Sequence, residues 1–113
     1  MAIKYDRECK TAHAEFERSE RFTLLEERIG FTNIVIEILE KKDGRFRRVG
    51  ITSSGIIVIR SLNFDKIITA FMAHDYQVER ICKVAGKKCV PPKLMEKVKK
   101  NAKRHPELFY IVG

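Results

Sequence analysis

A lysine and a histidine three residues apart, Lys10 and His13 in CKTAHAEFERSE, are the first pair in this chain equipped for chemistry. On a helix, residues at that spacing project from the same side. An imidazole able to take or give a proton near neutral pH would then stand beside an ammonium able to stabilise charge on a phosphorane-like intermediate. A second set lies in residues 55–72, GIIVIRSLNFDKIITAFM, where two β-branched apolar runs flank a polar turn and leave Arg60 and Thr69 at positions expected to be apolar. With an even-length turn, Ser61 sits opposite Lys66 and Val58 opposite Thr69. Side chains alternate along a strand, so Ile56, Val58 and Arg60 would then share a face with Ile67, Thr69 and Phe71. Arginine can hold a phosphate bidentately, a hydroxyl can donate to a non-bridging oxygen, and Phe71 can stack on a base. Arg45, Arg47 and Arg48, on the preceding run, are further phosphate-binding candidates. The competing structural reading makes His13 a surface residue, Arg60 a snorkelling edge residue, Thr69 a strand former and Phe71 core.

The charge is uneven along the chain. Residues 1–62 carry 12 Lys and Arg against 10 Asp and Glu, and residues 63–113 carry 11 against 5. Between residues 81 and 105 stand Lys83, Lys87, Lys88, Lys93, Lys97, Lys99, Lys100, Lys103 and Arg104, against Glu96 alone. Lys93, Lys97, Lys100 and Arg104 follow one another at helical spacings and form a basic stripe. Such a density points to a polyanionic partner, nucleic acid first, with an acidic protein behind it. Its structural alternative is a solvated lysine-rich face that keeps the protein soluble.

Other chemistries lack their residues. There is no Gly-rich phosphate loop, no HExxH, no GxSxG and no paired-carboxylate pattern for two magnesium ions, so catalysis here would be independent of metal and cofactor. Cys9, Cys82 and Cys89 are odd in number and have no CxxC spacing, and together with His74 and His105 they fit no compact zinc finger. Reduced thiols, the lack of a long apolar run and the charges of MAIKYDRECK lead to the expectation of a soluble, cytoplasmic protein with no membrane partner.

The elements that must position these residues follow from periodicity. At 113 residues the chain reads as a single domain, 1–113. Residues 4 to about 29 read as one or two helices, with Gly30 as a stop and Thr23 as a cap completed by Glu26. Residues 32–41 fit either a helix or a strand, and the Asp43-Gly44 turn that follows favours a strand. RFRRVGIT, GIIVIRS and KIITAFM then read as consecutive strands of an antiparallel meander of three or four. A helix from an Asp75 cap to Gly86 follows, burying Val78, Ile81, Cys82 and Ala85. Pro91-Pro92 opens another through about Arg104 that turns Leu94, Met95, Val98 and Ala102 inward. LFYIV, after His105-Pro106, reads as a short last strand. The fold class is α+β.

In this order of parts, residues 10–72 resemble the barnase–EndoU–colicin–RelE group of small ribonucleases, many of them bacterial or phage-borne toxins. The resemblance implies a helix-borne histidine and lysine, His13 and Lys10, set against Arg60 and Thr69 on the strands, with Phe71 stacking on a flanking base. The implied activity is endoribonucleolytic cleavage by the RNA's own 2′-hydroxyl, with RNA as substrate. Two other classes stand beside it: a non-catalytic nucleic-acid-binding module built on the basic helix, and a small phage- or bacterium-encoded protein whose basic surface inhibits an acidic protein. All three depend on which residues share a surface.

Overall fold

The computed structural model describes residues 22–62 and 67–110. Lys10, His13, Cys9, Lys66 and the helical reading before residue 22 lie outside the described residues. Four strands follow in chain order, Ile34–Lys42 (β1), Arg45–Thr52 (β2), Ile56–Ser61 (β3) and Ile67–Met72 (β4), each antiparallel to the next in a single sheet. A short helix, Thr23–Arg28 (α1), precedes the sheet, and Asp75–Val84 (α2), Pro92–Arg104 (α3) and a 3₁₀ turn, Pro106–Tyr110, follow it. Among the described residues no helix is long and apolar enough to cross a membrane.

Residues 34–42 resolve as strand because the turn behind them dictates it. Asp43 and Gly44 both have positive φ, 53° and 78°, and Lys42 pairs with Arg45 across them. That is the two-residue hairpin turn whose twist matches its flanking strands. Along β1, Ile36 and Ile38 are buried while Val35, Glu37 and Leu39 are exposed.

Both faces of the sheet are covered. On one, Ile36, Ile38, Val49, Ile51, Ile57 and Ile59 pack with Val78, Ile81 and Cys82 of α2 and Leu94 and Val98 of α3. On the other, Ile56, Val58, Ile67, Ala70 and Met72 pack with Phe22, Leu25 of α1 and Leu108 of the 3₁₀ turn. β3 is central, so Ile56 to Ile59 are all buried and its sequence reads as an unbroken apolar run. Fully burying one such side chain contributes about 1.5–3 kcal/mol.

The β3–β4 hairpin departs from its expected register. Arg60 does pair with Ile67, as an even turn requires, but Ile59 pairs with Thr69 and Val58 with Ala70, so Ile68 is an extra residue in β4. The cause is burial. Ile67 is an odd number of positions from Ala70 and Met72, and only an inserted residue lets all three enter the same core. Val58 therefore does not face Thr69. Thr69 and Phe71 pass to the face of α2 and α3, while Arg60 keeps the face of Val58.

Three terminal features are also corrected. Thr23 is the first residue of α1 and Phe22 its cap, with no side-chain capping bond. His74, not Asp75, caps α2: its N–H donates to Gln77 Oε1 at 2.9 Å, and Asp75 Oδ1 accepts from the Tyr76 N–H at 2.7 Å. Of the segment after His105-Pro106, Pro106–Tyr110 form a 3₁₀ turn rather than a strand, and the rest of LFYIV lies outside the described residues. The turn seats Leu108 in the second core, packs Phe109 against that core and lays the Phe109 ring on His74 with centroids 3.9 Å apart.

The β2–β3 turn carries a buried polar cluster. Thr52, Ser54 and Asn101 are the buried polar side chains among the described residues. Asn101 Nδ2 donates to the Ser54 carbonyl at 2.7 Å, the Ser54 hydroxyl donates to the Gly30 carbonyl at 2.8 Å, and Thr52 Oγ1 accepts from the Ile56 N–H at 3.1 Å. Gly55, at φ 90°, lies so close to α3 that a Cβ there would meet Asn101 Nδ2 at 2.8 Å. Removing the Asn101 amide leaves a buried carbonyl without its donor, so Asn101→Ala is expected to cost about 1–3 kcal/mol in urea unfolding. Gly55→Ala, strained in both backbone and packing, is expected to cost more than about 1 kcal/mol.

Candidate nucleic-acid interface

The residues expected to converge on one sheet face are divided between two. Arg60 stands on the α1 side, where its Nη2 pairs with Glu37 Oε2. Thr69 stands on the α2/α3 side, and Phe71 beside it packs against the core under those helices, which keeps its ring from serving as an open stacking platform. Arg47 is also engaged: its Nη2 reaches Glu40 Oε1 at 2.6 Å, and Arg80 Nη1 of α2 reaches Glu40 Oε2 at 3.0 Å. Arg48 Nε donates to the Ser61 carbonyl at 3.0 Å. Arg47, Arg48 and Arg60 are thus tied to the fold's own acceptors, while Arg45 at the start of β2 is exposed.

The basic stripe has the opposite character. Leu94, Val98 and Asn101 bury one side of α3, and Lys93, Lys97, Lys100 and Arg104 are all exposed. Successive residues advance about 100° around a helix, so these four occupy one flank, and Lys103 lies beyond them on the crest. Among the described residues none of the basic side chains between 83 and 104 forms an ion pair. Extended donors on one helix face can follow a row of phosphates, each as a point charge.

On the other flank of α3 the surface is concave. Glu79, Cys82 and Lys83 of α2, residues 87–90 of the link, and Pro92, Met95, Glu96 and Lys99 of α3 line an open groove of about 880 Å³. Its shape has a local cause: α2 stops where the Lys87 N–H returns to the Cys82 carbonyl at 2.9 Å, and the link then swings outward before Pro92 starts α3. Burial pushes the Cys82 thiol up from its ordinary range, with Lys87 opposing, so it stays a protonated, apolar part of the groove floor. Cys89 is exposed. Among the described residues no His, Cys, Asp and Glu cluster could hold a metal ion, and His74 and His105 take no part in one with the two cysteines.

One feature of this region was open to a closer sequence reading. Asn101 continues the apolar series Leu94, Val98 at helical spacing, so a polar residue there signals a buried bond. The groove had no such signal, because it joins residues from two helices and their link.

Glu40 gives a test of the sheet's charge pairing. The Arg47 hydrogen bond holds its carboxyl below the ordinary value of 4.5, burial opposes this, and Arg80 adds to the lowering. A carboxylate with a depressed folded-state pKa contributes stability that is present above its unfolded value and is lost as pH falls through the folded one. Glu40→Gln is therefore expected to be less stable than wild type at pH 7, with the gap closing as pH falls below 4.5. Urea midpoints measured across that range check it; a gap that stays constant would show that the pairing contributes nothing.

Family models, curated proteins and solved structures yield no match to this chain, so its functional reading rests on its own side chains.

Proposed function

We propose that this protein is a non-catalytic nucleic-acid-binding module that holds the phosphate backbone on the exposed face of α3. The observation that carries the reading is the contrast in pairing. Arg47, Arg60 and Arg80 are each bonded to a carboxylate of β1, whereas Lys93, Lys97, Lys100 and Arg104 are exposed and make no ion pair among the described residues. A surface whose only purpose was solubility would gain from interspersed acidic residues, yet Glu96 is the one carboxylate of α3.

The transesterification reading draws less support, because Arg60 and Thr69 leave the sheet on opposite faces and Arg60 is neutralised by Glu37. Docking on an acidic protein would use the same cations but has no feature of its own in its favour.

Each phosphate contact releases condensed counterions, so binding through the four stripe residues should weaken with salt at a log–log slope of about −3 to −4 on duplex DNA. Lys97→Gln with Lys100→Gln should reduce that slope by about 2. Fluorescence anisotropy of a labelled duplex across a salt series measures both. A slope near zero, or one unchanged in the double variant, sinks the reading, and shortening of an RNA probe by purified protein would restore the ribonuclease in its place.

A further inference from the structure

The groove between α2 and α3 combines two chemistries that a plain phosphate-binding surface does not need. Its apolar lining is Val90, Pro92 and Met95, with the buried, protonated Cys82 beneath them. Its rim is cationic: Lys83, Lys87, Lys88 and Lys99, all exposed, against the two carboxylates of Glu79 and Glu96. At about 880 Å³ it falls within the roughly 300–1,000 Å³ of pockets that receive small organic ligands. The matching ligand has an apolar body joined to more than one negative charge.

We propose that this groove receives an unstacked base of a single-stranded nucleic acid, with the flanking phosphates on the lysine rim, so that the partner bound on α3 is single-stranded. This rests on the reading of α3 as a phosphate-binding face and adds to it the class of strand. Bases in a duplex are stacked and paired, and their faces are closed to such a lining; in a single strand they can be splayed out and packed against apolar side chains. The geometry allows both surfaces to work on the same strand. Lys99 lies two residues from Lys97, more than half a turn around α3, so a strand laid over the crest at Lys103 has cations on both flanks. Glu79 and Glu96 face the groove as acceptors for exocyclic amino groups, and they disfavour an anion without a base, such as a bare phosphate.

Cys89 supplies the test, since it is exposed in the groove while Cys82 is buried. In a Cys9→Ser background, N-ethylmaleimide places a neutral group in the groove and leaves every lysine intact. Anisotropy is read with a labelled oligouridylate and with a duplex of equal length. Blocking is expected to weaken oligouridylate binding by about tenfold or more, the scale of losing a packed base, and to leave duplex binding unchanged. The same reagent should have no effect on Cys89→Ala. Oligouridylate binding that survives blocking overturns the base pocket, while persistent salt-sensitive duplex binding shows that the α3 face still stands. If untreated protein binds neither nucleic acid, the underlying reading fails and this one with it. A second readout needs no modification: 4-thiouridine in the oligonucleotide should crosslink to the peptide of residues 87–96, and crosslinks confined to residues 97–104 would overturn the proposal.

Discussion

The amide of Asn101 bound to the carbonyl of Ser54 is the buried bond at which three parts of the fold meet. α3 carries the amide, the β2–β3 turn carries the carbonyl, and the Ser54 hydroxyl extends the contact to the Gly30 carbonyl at the end of α1. The Ser54 N–H and the Ser53 hydroxyl both reach Thr32 Oγ1, which secures the segment leading into β1. Thr52, Ser54 and Asn101 are buried, so their polar groups need these partners. The consequence is positional. With its Asn101 end held on the turn and Val98 pressed against Gly55, α3 cannot rotate about its axis without breaking a buried bond, and the basic flank is thereby kept facing outward.

What could be read from the sequence divides according to how local its cause is. The meander was legible because β-branched runs and the Asp43-Gly44 turn act over a few residues. The start of α3 was legible because proline at its first position has a local meaning. The bulge at Ile68 was not, since it exists only because Ile67, Ala70 and Met72 share a core closed by α1 and Leu108, elements far away in sequence. That single extra residue carries Thr69 and Phe71 away from Arg60. A face assignment made by parity alone fails wherever both faces of a sheet are covered, because alternation then stops telling inside from outside. The 3₁₀ turn at the end of the described chain follows the same rule: Leu108 and Phe109, apolar neighbours in sequence, both pack on the second core, and Phe109 also meets the His74 ring.

The two kinds of cation in this protein are placed according to their chemistry. Arginine presents a rigid planar fork suited to fixed acceptors, and Arg47, Arg48 and Arg60 on the sheet and Arg80 on α2 all meet one. Lysine is a mobile point charge on a flexible stem, and eight of the nine cations from residue 83 to residue 104 are lysines. On the proposed reading this surface positions a backbone rather than reading a sequence, since base-edge recognition relies on bidentate geometry that lysine holds less well. Selectivity must then come from shape. Among the described residues, a concave apolar feature beside the lysines is the groove that begins where α2 ends, with the link from Lys87 to Val90 along one side. The same polar cluster that fixes the roll of α3 also fixes Met95 and Lys99 on the far wall of that groove. On the proposed reading, fold stability and strand selectivity both draw on this buried amide, and a change at Asn101 should disturb the groove before it disturbs the outer stripe, whose flexible side chains tolerate a small rotation of their helix.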